Sequence, residues 1–381
     1  MKYKLEDIVE VTMGQSPKSQ YYNAEGKGTP FLQGNRTFGF KRPIFDTYTT
    51  LVTKEAKAGD VIMSVRAPVG DINITPIDMC LGRGVCSLRM KNGNQEFLYY
   101  MMKYYMSQLL NKENGTVFGS VNRNDINGLE VDIPEDIERQ KKIARYLTMI
   151  DDKIELNTDI NNNLEQQAEA LFHSLFVKNA NPTWNDGVLS DLGTVVAGGT
   201  PSKTKPEYYS GHGIAWITPK DLSLNKSKFV SHGEIDISEL GFSKSSATKM
   251  PIGTVLFSSR APIGYIAIAA NEVTTNQGFK SVVPNENVGT AFMYYLLKFS
   301  LPTIEGMASG STFKEISGAG MKSVPVVIPD NETIEKFNAF CTPIFQQQEA
   351  LEAENSRLTD IRDALLPKLI SGELDVSDID L

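Results

Sequence analysis

Three polar side chains stand within four positions at the end of an apolar run: Pro30-Phe31-Leu32 is followed by Gln33, Asn35 and Arg36. Gln, Asn and Arg are the residues whose side chains hydrogen bond base edges bidentately in the major groove of DNA. The run Ile214-Ala215-Trp216-Ile217 leads in the same way to Thr218, Lys220 and Asp221. Matching strand exits thus carry different polar groups, and if both read bases they read different ones. Taken alone, each is equally well a solvated strand end.

Upstream of each exit lies a loop of small, polar and aromatic residues. Gln15, Ser16 and Lys18 follow Gly14 and precede Tyr21, while Thr200, Ser202 and Lys203 follow Gly198-Gly199 and precede Tyr208. Glycine lets a backbone approach a ligand closely, and hydroxyls and lysines suit phosphates, although Gly-Thr-Pro is also ordinary turn chemistry. Two later loops, Asn114 to Arg123 and Ser309 to Lys314, place Arg123, and Ser311 with Lys314, as contacts to a phosphate backbone.

Catalytic signatures are missing. The chain has no G-x-x-x-x-G-K-[ST], no G-x-G-x-x-G opening a helix, no H-E-x-x-H and no metal-spaced Cys/His set. His173, His212 and His232 are scattered without triad partners nearby in sequence. Asn181-Pro182-Thr183-Trp184 resembles an adenine-methyltransferase tetrapeptide superficially but lacks its second Pro and any cofactor loop, so it reads as a turn. Arg66 and Arg260, each in an Arg-Ala-Pro-x-Gly element, read as structural arginines bonding loop carbonyls ahead of phosphate ligands. Tyr99-Tyr100 and Tyr294-Tyr295 sit in helical spacing and read as core.

What positions these residues is a duplication. Leu5, Gly14 and Pro17 recur as Leu189, Gly198 and Pro201 at an offset of 184. Arg66 to Gly70 recurs as Arg260 to Gly264 at 194, and Val131 and Pro134 return as Val326 and Pro329 at 195. Units this long bury their own cores and are sister domains with pseudo-two-fold character. Apolar runs after glycine, Asp60 to Val65 and Thr254 to Ser258, predict strands, as do Gly82 to Leu88 and the matching Asn276 to Val282; Glu96 to Leu110 and Ala291 to Leu301 predict helices.

After each unit comes a 3.5-residue period. Ile143, Leu147, Ile150, Ile154, Asn161, Leu164 and Leu171 mark one stripe; Ile344, Leu351, Asn355, Leu358 and Leu365 mark the other. About 35 residues of this period give a helix roughly 50 Å long. Each stripe needs a partner, and its sister, running antiparallel, is the obvious one. Asn161 and Asn355 read as alignment pins that fix register at some cost in stability. Pro343 belongs near the start of the second helix or at a kink, and Pro367 near its end.

The bulk numbers suit a globular chain of 381 residues with two or three domains. No apolar run spans a bilayer and no leader is evident, which predicts a cytoplasmic protein without a membrane partner. Three cysteines without C-x-x-C spacing predict neither disulfides nor zinc. The net charge of −8 hides an uneven spread: residues 1–129 carry 16 basic against 12 acidic side chains and residues 330–381 carry 4 against 12. Mildly basic units alternate with acidic segments, which is compatible with DNA-facing modules on a frame that does not touch DNA.

In order and duplication, the paired Leu5–Pro17 and Leu189–Pro201 openings, the two Arg-Ala-Pro-x-Gly elements and the late Gly-Thr and Gly-Ser loops resemble a DNA specificity subunit of a type I restriction-modification system. So do Ile133-Pro134-Glu135 with Glu138-Arg139-Gln140, and the Leu365 to Leu374 close. Residues 331–337 depart from that pattern in lacking a Glu-Gln pair. The resemblance implies an α+β chain with target recognition domains at 1–132 and 181–327, and long helices in 133–180 and 328–381 packed as an antiparallel coiled coil. It implies double-stranded DNA, two adenine-N6 methyltransferase subunits and restriction subunits as partners. It also implies no cofactor on this chain, with S-adenosylmethionine, ATP and Mg on the partners. A non-enzymatic protein scaffold with duplicated binding domains is the rival reading, and a self-contained methyltransferase the third.

Overall fold

The computed structural model describes residues 1–111, 119–310 and 314–375. They divide into two compact units, Met1–Leu156 with Asn355–Leu381, and Asn157–Glu354. Both mix sheet and helix, as an α+β chain does.

In the first unit, β1 (Lys2–Lys4) pairs antiparallel with β8 (Glu130–Asp132). Its main sheet holds β2 (Val9–Met13), β4 (Val61–Ser64), β5 (Ile72–Ile74) and β7 (Val85–Met90) in the order β2-β7-β4-β5. All four residues of β4 are buried, so this strand reads as a continuous run without alternation. A second strand set brings β3 (Thr29–Leu32) parallel to β6 (Met79–Leu81), with Phe31 opposite Cys80 and Leu32 opposite Leu81. Helix α1 (Gln95–Asn111) buries Phe97 through Met102 against the main sheet. Its first turn is held by the Asn94 Oδ1, which accepts from the Phe97 N–H at 3.3 Å. The strand predicted over Gly82 to Leu88 begins only at Val85; residues 82–84 form a turn instead, because the glycines there pack against neighbouring backbone.

The second unit repeats this plan. Strand β9 (Asn185–Val188) pairs with β17 (Pro325–Ile328). Strands β10 (Gly193–Ala197), β12 (Phe229–Val230), β13 (Val255–Ser259), β14 (Ile263–Ala269) and β16 (Lys280–Pro284) lie in the order β10-β16-β13-β14-β12, the same order with one extra edge strand. Again a short parallel pair stands apart, β11 (Trp216–Ile217) with β15 (Thr274–Thr275). Helix α4 (Thr290–Phe299) follows the short α3 (Pro219–Leu224) in chain order and buries its Phe-Met-Tyr-Tyr face. Asn181-Pro182-Thr183-Trp184 is a turn: the Asn181 side chain accepts from the Thr183 N–H at 3.0 Å, and Trp184 Nε1 donates to Asp330 at 2.8 Å.

Two long helices, α2 (Ile137–Phe172) and α5 (Asn331–Ser371), contribute a stretch to each unit. Inside the first unit, Ile143 and Leu147 of α2 share a core with Leu366, Leu369 and Ile370 of α5. There the Asn355 Nδ2 donates to the Ile154 carbonyl at 3.4 Å and Arg362 pairs with Asp151 at 2.9 Å. Inside the second, Phe172 lies 5.5 Å from Phe337, and Asn161 donates to Glu352 at 3.4 Å. In both units the lower-numbered residues of α2 meet the higher-numbered residues of α5, so the stretches run in opposite directions. Every predicted stripe residue, Ile143, Leu147, Ile150, Ile154, Asn161, Leu164, Leu171, Ile344, Leu351, Asn355, Leu358 and Leu365, is buried or half-buried. Pro343 does not fall at the start of the helix: α5 runs on through it, twelve residues past Asn331. The preceding Thr342 hydroxyl donates to the Asn338 carbonyl at 2.8 Å, a bond of the kind that often bends helices.

Tyrosine pairs couple each sheet-and-helix lobe to these helices. In the first unit Tyr100 donates to Asp151 of α2 at 2.7 Å, beside Lys41, which is 1% exposed and pairs with Glu96 at 2.9 Å. In the second, Tyr295 donates to Glu165 of α2 at 2.9 Å. Glu165 also pairs with Lys228, which is 7% exposed, and with Lys298 at 2.9 Å. Burial opposes the Glu165 charge, but the two ammoniums outweigh it and hold the carboxyl down at about 2, against an ordinary 4.5. Burial in turn pushes the Lys228 ammonium down despite that partner.

A carboxyl whose folded pKa is depressed stabilises fully above its unfolded value, and that stability fades as pH falls towards the folded one. Urea unfolding should therefore show wild-type stability dropping between about pH 4.5 and about pH 2 through Glu165. Glu165→Gln should flatten that part of the profile. At pH 7 it should cost roughly 3–5 kcal/mol, because the Lys228 charge stays buried with its main counter-charge removed. Parallel pH profiles for the two proteins would show that the cluster carries no such linkage.

Candidate nucleic-acid interface

In the first unit three loops converge. The loop after β2 folds onto the turn 82–84: Gln15 donates its N–H to the Leu81 carbonyl at 3.0 Å, and the Ser16 hydroxyl accepts from the Arg83 N–H at 3.0 Å. The Gln15 carbonyl also takes the Thr53 hydroxyl, and Tyr22 closes the loop by donating to the Pro17 carbonyl at 2.8 Å. The same turn is bonded to the exit of β3, with Gly82 donating to Leu32 at 2.7 Å and Gly84 to Gln33 at 3.0 Å. Gln15, Lys18, Gln33 and Arg36 are exposed at this junction, and Ser16, Tyr21 and Asn35 are half-buried.

Such close packing leaves no room for side chains on the turn's glycines. A Cβ on Gly84 would stand 2.2 Å from the Gln33 carbonyl oxygen, and one on Gly82 would stand 2.6 Å from Gln33 Cα. Gly14 meets the Gly82 oxygen at 2.0 Å in the same sense. The junction is a backbone-to-backbone contact that only glycine permits.

The second unit builds the equivalent junction around a concavity of about 600 Å³. Thr200, Lys203, Thr218 and Lys220 line it, together with Arg260, Asn276 and Gln277. Thr200 donates to Gln277, Tyr209 donates to the Pro201 carbonyl at 2.8 Å, and Asn276 donates its N–H to Ile217 at 3.0 Å. Thr218 caps α3, its hydroxyl meeting Asp221 at 2.6 Å. Lys220 reaches Glu234 at 2.6 Å, and that carboxylate raises its pKa. The wall therefore presents cations, two of which, Lys220 and Arg260, already have exchangeable surface counter-charges.

Several predicted contacts take other partners. One Arg36 nitrogen, Nη2, reaches both Asp46 carboxylate oxygens, at 2.7 and 2.8 Å, a surface pair that pulls the Asp46 pKa down. Asn35 bonds Asp71 at 2.5 Å. Arg123 opens a short helix and donates to the Val11 carbonyl at 2.9 Å. Ser202 bonds Thr204, and Lys314 is exposed beyond the loop that contains Ser311, which lies outside the described residues. Among the described residues Arg260 bonds no loop carbonyl; it pairs with Glu315 at 3.4 Å, because the bridge between the two backbones brings that carboxylate alongside. Arg66 is exposed. Arg83 and Gln277, central to the two junctions, lay inside runs read as strands; the flanking glycines were the signal for a turn.

Among the described residues no group of His, Cys, Asp and Glu could hold a metal, and no helix is long and apolar enough to cross a membrane. Cys80, Cys86 and Cys341 are free and buried, and burial pushes the Cys86 and Cys341 thiols up to about 12.

The model of the type I restriction modification DNA specificity domain matches residues 1–166 and again 181–358. This chain belongs to that family. It is 27% identical to the HindI specificity subunit of Haemophilus influenzae over 408 aligned positions, covering 84% of this chain and 88% of that protein. It is 41% identical over 155 residues to the MjaIX specificity subunit of Methanocaldococcus jannaschii, a match spanning 40% of this chain and 36% of the archaeal protein. The solved S subunit of a type I system from M. genitalium has the same fold, with a TM-score of 0.65 at 18% identity over 97% of this chain and 96% of that one.

The glycine constraint separates two neighbouring substitutions in this specificity family member. Gly84→Ala forces a Cβ into the Gln33 carbonyl and should lower the urea midpoint by the equivalent of about 1–3 kcal/mol at unchanged slope. Gly34→Ala, where nothing lies within 4 Å of the new Cβ, should leave the midpoint in place. Equal effects would mean that the turn is not held by that contact.

Proposed function

We propose that this chain is the DNA-reading subunit of a type I restriction-modification complex, in which residues 1–132 and 181–327 each recognise one half of a split, asymmetric site in double-stranded DNA. The observation that carries the reading is the family match over both halves of the chain. The two loop junctions supply its chemistry. The helical segments 133–180 and 328–381 form, in this reading, an antiparallel coiled coil with pseudo-two-fold symmetry. A strut of roughly 50 Å lets two heads reach across more than one DNA turn of about 34 Å and leave the bases between unread.

Catalysis then lies on the partners: two adenine-N6 methyltransferase subunits carrying S-adenosylmethionine, and restriction subunits using ATP and Mg. The chain itself positions them and works in the cytoplasm. A protein scaffold with duplicated binding domains is the weaker reading, since polar loops with base-reading side chains have no part in it.

Mapping methylated adenines by single-molecule sequencing, in the host with and without this gene, should reveal one bipartite motif that vanishes on deletion. An unchanged methylation map would remove the reading. Within the complex, Lys18→Ala or Lys203→Ala should weaken binding to all sequences alike and lower the slope of log K against log salt by about one each. Arg36→Ala or Lys220→Ala should relax preference at particular bases, by a modest factor given the surface counter-charges both hold. A uniform loss from Arg36→Ala and Lys220→Ala would place these two on the phosphates.

A further inference from the structure

Arg83 and Gln277 occupy the same backbone cage, one in each unit. The Val65 N–H donates to the Gly84 carbonyl at 2.9 Å, and the Ser259 N–H to the Gly278 carbonyl at 2.7 Å. Gly82 donates to Leu32 as Asn276 donates to Ile217. The Val85 N–H reaches the Gly82 carbonyl at 3.1 Å, and the Phe279 N–H reaches the Asn276 carbonyl at 3.2 Å. Gln15 and Gly199 donate to the equivalent carbonyls of Leu81 and Thr275. Between these fixed points each turn exposes one side chain, Arg83 or Gln277, with buried neighbours on either side at Gly82 and Gly84 or a buried Gly278.

The two residues share a position and differ in what they can read. The Arg83 guanidinium makes no hydrogen bond or ion pair among the described residues, so its five donors are uncommitted. It stands beside Gln33 and Ser16, at the centre of the loops that bear the first unit's candidate contacts. Gln277 accepts from Thr200 on the wall of the 600 Å³ concavity, which leaves the amide NH₂ group and the second lone pair of the amide oxygen for a base. Arginine bonds the O6 and N7 of guanine as a fork; glutamine bonds the N6 and N7 of adenine.

We propose that Arg83 and Gln277 are matched specificity-determining residues, Arg83 reading a guanine in one half-site and Gln277 an adenine in the other. The inference rests on the DNA-reading function proposed above and adds which residue reads in each half. A rigid turn suits the role, because bidentate recognition requires the fork to be held in one place.

The test exchanges the two side chains in the full complex with its methyltransferase subunits, and reads the genome-wide methylated motif together with binding to oligonucleotides that vary one base at a time. R83Q should change or relax one guanine position in one half-site and leave the other half intact. Q277R should do the same at one adenine of the other half. Discrimination at that base should fall by about 10-fold or more. R83K, which keeps the charge without the fork, should lose discrimination at the same position with its salt slope unchanged, and it serves as the readout if R83Q folds poorly. Motifs unchanged at every position, or a loss spread evenly over all sequences, would overturn the assignment. A wild-type complex with no bipartite motif would instead overturn the DNA-reading function beneath it.

Discussion

A desolvated carboxylate on the long helix α2 fixes each lobe of this chain to its frame. Asp151 takes the Tyr100 hydroxyl and the Arg362 guanidinium; Glu165 takes the Tyr295 hydroxyl and the Lys228 and Lys298 ammoniums. An ion buried without such partners costs several kcal/mol, so these sites tolerate one arrangement of lobe and helix and penalise the rest. Apolar packing alone would not do this. A greasy face slides or rotates on another with small loss, whereas a carboxylate must meet its donors at hydrogen-bond distance. The lobe in each unit is thereby set on its stretch of helix with a defined orientation, and the loops at its far edge inherit that definition.

Rigidity passes from there to the loops through backbone, not side chains. The turns 82–84 and 276–278 are bonded on one side to a strand exit, and the residues that flank them, Leu81 and Val85 or Thr275 and Phe279, take the N–H groups of the glycine loop after the first strand of the main sheet. Glycines at 14, 82, 84 and 198 bring main chains closer than any Cβ allows. The outward side chains carry none of this packing, so they can vary without unsettling the fold, while the inward atoms of the same turns cannot.

The distribution of these constraints explains what was legible in the sequence. The duplication showed directly, because glycines, prolines and apolar strand residues answer to backbone geometry that both units share. The stripe on the long helices showed for the same reason: a 3.5-residue apolar period reflects packing within each helix pair. The polar anchors escaped notice. Tyr100 and Tyr295 looked like core residues in the repeat, but their acceptors Asp151 and Glu165 are not equivalent positions; the residue 194 after Asp151 is Phe345. Each unit solves the same desolvation problem with a different set of charges, and no periodicity or offset can reveal a solution reached twice independently. Arg83 and Gln277 were missed for another reason. A Gly-Arg-Gly inside an apolar stretch has the composition of a strand until the glycine contacts show it to be a turn.

That contrast between shared cage and private side chain bears on how such a chain changes what it reads. A position whose neighbours on both sides have their backbone groups bonded, and whose own side chain is exposed, has few ways to destabilise the fold and one way to alter recognition. Arg83, between Gly82 and Gly84, and Gln277, between Asn276 and Gly278, meet both conditions. Arg36 and Lys220 meet them less well, since each must first leave a carboxylate at 2.6 to 2.8 Å. A residue that has to break a surface ion pair before bonding a base gives back part of the new interaction, and median exposed pairs are worth up to about 1 kcal/mol. Uncommitted donors on a fixed turn give back nothing, so discrimination should concentrate at the turn in each unit and the paired cations should contribute a weaker preference at its margin.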